Sequence, residues 1–357
     1  KWKSRDRATR VTPWLLAAAW LCVALVCADA AGHGHVASRV RDEVVISPLP
    51  RDYVADSDVP RHWDWRNVDG VNYVTSDVNQ HIPQYCGSCW IHGTVAALND
   101  RVKISRRAAF PDVMLSRQAL VNCAQNASGV APGCNGGDPW MVFKTMLSAG
   151  IPDEACQPYD AQNHACTPAH VCRNCAADAA SGCFAISRPG FVGYKVSEYG
   201  SVAGAANVMK EILARGPVTC SLVATDALVY NYSAVADANH GVFVDTQDYD
   251  EDKVDHDVEV VGWGETDQGT PFWVARNSWG TFWGDAGWFK LQRGTLRVEE
   301  DCWWGVPSFD NLEEYLDGEY VGSYDGMKKQ TDADRRRSYR PEESHAKHPH
   351  ASAHVSK

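Results

Sequence analysis

This sequence is short of positive charge: 34 Lys and Arg stand against 45 Asp and Glu, a formal net charge of −11. No basic stripe is present to neutralise phosphates, which excludes nucleic acid as the partner. Long apolar runs are lacking as well. The stretch from Trp14 to Cys27 is shorter than the ~20 residues a comfortable membrane span needs, so no stable span is expected. Internal repeats are absent, which excludes solenoids and propellers. Hydrophobic content of 45% and charged content of 22% are those of ordinary globular proteins, so a packed core is expected.

Tryptophan and cysteine are plentiful instead. There are 14 Trp, several beside the motifs described below. The N-terminus places basic residues between Lys1 and Arg10, then the apolar stretch, then small residues at Ala28, Ala30 and Ala31. That is the order of a secretory signal, assigned to residues 1–30. Of the 13 cysteines, Cys22 and Cys27 leave with it, and 11 remain. An odd number in an oxidising compartment predicts disulfides plus one thiol left over, most simply five pairs and one free cysteine.

Residues 31–60 are polar, carry Pro48, Pro50 and Pro60, and lack a helical period. They read as a short pro-segment, with the folded region opening near His62-Trp63-Asp64-Trp65. From Trp90 to Ile104 helical spacing sets Val95, Leu98 and Val102 on one face. A helix opening just after Cys89 would turn its positive end toward that sulfur. Leu115 to Cys123 and Trp140 to Ala149 read as two further helices. Between Cys156 and Cys183 lie five cysteines with little apolar period, a stapled irregular segment. Later, Val258, Val260, Trp263, Phe272, Val274, Trp288 and Phe289 fall in short alternating runs, the pattern of strands. The expected class is α+β in two lobes over residues 61–310. Residues 311–357 are polar and read as a disordered tail. Its terminal His345, His348 and His350 suit a solvated tail better than a metal site.

Cys86-Gly87-Ser88-Cys89-Trp90 is the strongest local signal. A thiol at a helix N-terminus beside an imidazolium is stabilised as thiolate and becomes a nucleophile. Cys86-x-x-Cys89 is also the spacing of a redox pair, or of zinc ligands together with Cys172-x-x-Cys175. Zinc sites of that kind favour reducing compartments, and the βαβ context of a redox motif is missing before Cys86. Cys134-Asn135-Gly136-Gly137, His256 ahead of Gly262-Trp263-Gly264, and Asn277-Ser278-Trp279-Gly280 with Trp283-Gly284 follow in order.

Together these four segments resemble the papain-like cysteine peptidases: the nucleophile, histidine and asparagine motifs, and the glycine-rich cleft edge where a peptide backbone approaches. Within that family the chain is more similar to the cathepsin X (cathepsin Z) branch. The similarity runs from about residue 60 to 308 and is carried by Trp63 to Tyr73, Asn79 to Trp90 and Gly150 to Glu154. His81-Ile82-Pro83 is the diagnostic insertion.

The resemblance implies a helical left lobe, a β-rich right lobe and an active-site cleft between them. It implies Cys89 as nucleophile, His256 as general base and later acid, and Asn277 as the group fixing the imidazole. Gln80 and the backbone N–H of Cys89 would form the oxyanion hole, with Gln84 the competitor for Gln80. Trp279 would shield the His–Asn contact. His81, Tyr85, Gly136, Gly137 and Trp283 would meet substrate. His240 reads as a surface histidine. The implied pairing is Cys86–Cys134, Cys123–Cys166, Cys156–Cys172, Cys175–Cys183 and Cys220–Cys302, leaving Cys89 free.

The implied activity is removal of single C-terminal residues, with His81 meeting the terminal carboxylate. An endopeptidase or dipeptidyl peptidase is the alternative, and an inactive binding protein on the same scaffold the third reading. Peptide substrates and protein inhibitors of such peptidases are the implied partners of a monomer, with no cofactor or metal. Asn126 and Asn231 open glycosylation sequons, consistent with a lysosomal or extracellular destination. The sequence departs from the branch in three ways. Its nucleophile-to-histidine spacing is longer than the family's ~130–150 residues, residues 31–60 lack the cysteine that masks the nucleophile, and the acidic tail has no counterpart.

Overall fold

The computed structural model describes residues 33–310, apart from Ala179, Pro189 and the side chains of Phe309 and Asp310. The expected signal and tail lie outside these residues.

The first helix of the helical lobe, α2 (Cys89–Ser105), follows the short α1 (Pro50–Tyr53). Helix α3 (Arg117–Cys123) starts where Ser116 accepts the N–H of Ala119. Helix α4 (Pro139–Ser148) starts where Asp138 accepts the N–H of Trp140, with Pro139 at its first position. Their apolar faces meet around Trp90, Leu98, Leu120, Trp140, Phe143 and Trp303. Helix α2 differs from the one-faced pattern expected: it is buried all round from Cys89 to Val102 because it lies between this core and the sheet. Its buried polar residues are bonded rather than idle. Asn99 accepts Leu115 N–H, and Asp100 accepts Thr75 and Arg276.

The sheet lobe is one antiparallel sheet of seven strands. Strands β4 (Gly193–Val202), β9 (Cys302–Asp310), β5 (Val218–Leu222), β6 (His256–Glu265), β7 (Pro271–Arg276) and β8 (Trp288–Gln292) follow in that spatial order. Strand β1 (Trp63–Asp64) joins the edge of β6, with Trp63 opposite Trp263. Strand β6 is buried from His256 through Gly264, as expected of a central strand covered on both faces. Two helices on this side, α6 (Ala205–Arg215) and α7 (Asp226–Ala238), were not expected from the sequence. Among its described residues, the segment from Cys156 to Cys183 holds only the one-turn α5 (Pro168–Val171) and an exposed hairpin of β2 (Arg173–Cys175) and β3 (Cys183–Ala185).

Five disulfides join the pairs that the resemblance implies, and Cys89 is the free thiol among the described residues. A buried ion network ties the lobes: Arg276 of β7 reaches Asp100 of α2 at 2.7 Å and Glu259 of β6 at 2.6 Å.

Packing begins well before the expected start at His62. Ahead of α1, residues 33–49 run as irregular chain across both lobes. Val44 exchanges backbone hydrogen bonds with Tyr199, Glu198 accepts the N–H groups of Ile46 and Ser47, and Asp42 holds Trp140 and Lys144. These contacts join residues far apart in sequence, so no local period announces them.

Candidate active site

Cys89 is the first residue of α2 and is fully buried. Across from it, His256 begins β6, and its Nε2 donates to Oδ1 of Asn277 at 2.9 Å. Asn277 lies just past the end of β7, so two neighbouring strands deliver the pair. Trp279 stacks on the His256 ring at 4.7 Å and is wedged edge-on by Trp283 at 5.1 Å. Trp283 is itself almost buried and donates to the Val229 carbonyl, which fixes the stack. With Nε2 engaged, Nδ1 is the basic nitrogen, and it is buried without a hydrogen-bond partner among the described residues.

Gln80 is buried one residue before the insertion. Its Nε2 donates to the Cys86 carbonyl at 2.9 Å, and its Oε1 accepts Ser278 Oγ at 2.6 Å. One amide hydrogen remains beyond the Cys86 contact. Gln84, the competitor, is exposed and donates to the Ala161 carbonyl. His81 stacks flat on Tyr85 at 4.6 Å, with Ile82, Pro83 and Tyr85 exposed around it. His240 sits in the turn after α7, at a positive φ of 58°. Of the two sequons, Asn231 is exposed on α7, whereas the Asn126 Oδ1 accepts the N–H groups of Ser128 and Val130 in a surface loop.

Gly136 and Gly137, the backbone edge on which substrate was expected, stand beside Trp90 and the segment 34–36. A Cβ on Gly137 would lie 2.6 Å from the Trp90 ring, so no other residue fits there. The edge is occupied by the chain itself. Gly137 N–H donates to Gly34 O at 2.9 Å, and Val36 N–H donates to Gly137 O at 2.8 Å. Residues 33–36 thus lie on it as a parallel strap centred on His35. Gly34, at a φ of +112°, crosses so close to Gly87 that a Cβ would meet the Gly87 oxygen at 2.5 Å. His33 stands edge-on to His256 at 5.9 Å and beside Trp279 at 5.6 Å.

Besides His33 and His35 of the strap, a further residue in the site carried no sequence expectation. Asp257 follows His256 and is fully buried. Its carboxylate reaches His35 Nδ1 at 2.9 Å, Ser221 Oγ at 2.7 Å and Cys89 Sγ at 3.9 Å. A charged residue directly after the histidine, in a strand that is buried almost throughout, was the available signal.

Burial pushes the Cys89 thiol well above its usual range, and the Asp257 carboxylate adds to this, while the backbone N–H groups of Asp257 and Trp90 oppose it. Burial also takes His256 down to about 3, against the Asn277 hydrogen bond and with His33, His81 and His35 adding to the fall. Under the strap the two groups therefore rest as thiol and neutral imidazole. Burial lowers His81 as well, helped by His33.

The family model described as papain family cysteine protease matches residues 59–304. The chain is 39% identical over 272 residues to "Cathepsin Z" of Onchocerca volvulus, across 72% of this chain and 82% of that protein. It is 28% identical over 291 residues to "Cathepsin B-like cysteine proteinase 6" of Caenorhabditis elegans, across 73% and 70%. The solved proCathepsin B S9 of Trypanosoma congolense has a TM-score of 0.56 at 20% identity, covering 78% of this chain and 88% of that one. That likeness speaks to the fold alone. Among the described residues no helix is long and apolar enough to cross a membrane.

Proposed function

Because the chain belongs to the papain family of cysteine proteases, and so is a cysteine peptidase, we propose that it removes single residues from peptide C-termini with Cys89 as its nucleophile. The observation that supports the chemistry is the buried His256–Asn277 hydrogen bond under Trp279, facing the helix that Cys89 opens.

In this reading His256 Nδ1 takes the thiol proton and the sulfur attacks the scissile carbonyl. The oxyanion meets the spare N–H of Gln80 and the backbone N–H of Cys89. His256 returns the proton to the departing amine. It then takes one from water, which attacks the thioester, releasing the new carboxylate and restoring the thiol. Asn277 holds the imidazole in the tautomer this requires. Cleavage cannot begin while residues 33–36 fill the edge, so residues 31–60 act as a pro-segment.

Specificity for the free C-terminus is assigned to His81, one residue from the oxyanion donor and propped flat on Tyr85. An imidazolium there meets the terminal carboxylate. Its pKa is lowered, so the charged form is present only on the acid side of the usual ~6.5 and this mode strengthens as pH falls. The relative's printed name, cathepsin Z, agrees with the branch from which this specificity is drawn. Passage through the secretory pathway, to lysosome or exterior, accords with five disulfides.

The test is a pair of peptides differing only in a free or amidated C-terminus, followed by mass spectrometry. Single-residue steps from the free acid are expected, with His81→Ala erasing the difference. Equal rates on both peptides in the unsubstituted enzyme, or cuts inside an end-blocked peptide, would replace the carboxypeptidase reading by an endopeptidase one.

A further inference from the structure

The strap shows which side chain the cleft accepts beside the nucleophile. A peptide backbone seated on Gly137 places one side chain, here that of His35, against Asp257. His35 is 8% exposed, and its partner carboxylate is sealed from solvent. Asp257 receives two further hydrogen bonds, from Ser221 Oγ and, at 3.9 Å, from the Cys89 thiol, and neither donor is a cation. Once the strap leaves, that carboxylate loses its cation. A buried carboxylate without a counter-charge is costly, so the site favours whatever restores one.

We propose that Asp257 is a specificity residue, which makes the pocket beside Cys89 an acceptor for a cationic side chain, Arg or Lys or protonated His, of the substrate residue that pairs on Gly137. This rests on the peptidase reading above. The strap uses the same rule in reverse: His35 seals the pocket of the chain that carries it, without the covalent mask that a cysteine would provide.

The charged surroundings favour a cation at this position. His35 and Arg41 face Asp257 from the strap and the segment after it, Cys89 from α2, and Asp255 from its own chain segment, while Asp138 and Asp301 stand near His35. Arg41 is itself taken by Asp138 at 2.8 Å and Asp301 at 2.6 Å, so it does not answer Asp257 directly. Burial alone would lower the His35 imidazole, but Asp257, with Asp138 and Asp301, raises it to about 8. A raised histidine pKa means the pairing is complete below the usual ~6.5 and fades as pH rises through about 8. The seal is thus an acid-side seal, and its loss is expected at alkaline pH.

Two arms test the proposal. In the full chain carrying Cys89→Ala, which cannot process itself, the His35 ring proton should titrate near 8 by NMR. Asp257→Asn should bring it below the unperturbed ~6.5. A midpoint at or below ~6.5 that Asp257→Asn leaves in place would overturn the pairing. In the second arm the activated enzyme meets peptide libraries varied at each position on the acyl side of the scissile bond. One position should favour Arg or Lys over Leu by about tenfold or more in kcat/KM, chiefly through KM. Asp257→Val should invert that ratio. Asp257 lies near Cys89, so its variants also change kcat, and the Arg-to-Leu ratio within one variant cancels that change. An active enzyme with no cationic preference at any position, or one that keeps it in Asp257→Val, sinks the Asp257 assignment alone. A chain inert towards every peptide sinks the peptidase reading, and the NMR arm, which needs no turnover, still decides the pairing.

Discussion

The two lobes are held together by different means. Four of the five disulfides fall between Cys86 and Cys183, in and around the helical lobe, whereas the sheet lobe has the single bridge Cys220–Cys302. The sheet lobe relies instead on its ladder, on tryptophans packed edge to face and on the Arg276–Asp100–Glu259 network. Long irregular segments such as 156–183 bury little apolar surface, so covalent links restrain them where packing cannot. The proposed nucleophile belongs to the stapled lobe and its base to the packed one. Their alignment depends on the network that crosses between them.

The largest stability effect should come from breaking that crossing. Arg276→Met leaves Asp100 and Glu259 buried without their cation, and a loss of about 3–5 kcal/mol is expected in urea unfolding. A loss below about 1 kcal/mol would show that the network is dispensable. Next is Gln80→Ala, at the junction. It removes the proposed oxyanion donor and its ties to Cys86 and Ser278, so kcat should fall roughly 10²–10³-fold. An equal fall in Gln84→Ala alone would reverse the assignment of these two glutamines. The smallest effect belongs to the staple that closes the shortest loop. Replacing Cys175 and Cys183 by Ala opens a loop of sequence separation 8 in an exposed hairpin. At most about 2.5 kcal/mol should be lost, with kcat/KM unchanged. A fall in kcat/KM would show that the hairpin reaches the cleft.

Much of the site was legible in the sequence, because each element reports itself locally. Cys89 is read from its flanking residues and the helix that follows, and Asn277 from the tryptophan and glycine beside it. The strands around Val258, Phe272 and Trp288 show in their alternation. Less legible were α6 and α7. Also hidden was the true face of α2, where Asp100 and Arg101 occupy buried positions through partners more than 20 residues away. Asp257 was overlooked because a carboxylate in a strand, like Glu259 two residues on, has no meaning until its neighbours are known. Residues 33–60, within the expected pro-segment, gave no local sign of packing for the same reason: their partners lie up to 260 residues away, as with Arg41 and Asp301.

The sequence by itself determined the family, the two-lobed class and, through cysteine parity, that one thiol is left unpaired. These rest on local periodicity, short motifs and counting. Only the tertiary structure decided what stands against that thiol. It brought His35, Asp257 and Cys89 together from three distant segments and laid residues 33–36 on Gly137. It also buried the charge that makes their pairing matter. A charge costs little in water and much in a sealed cleft, and burial is a property of the fold rather than of any stretch of sequence.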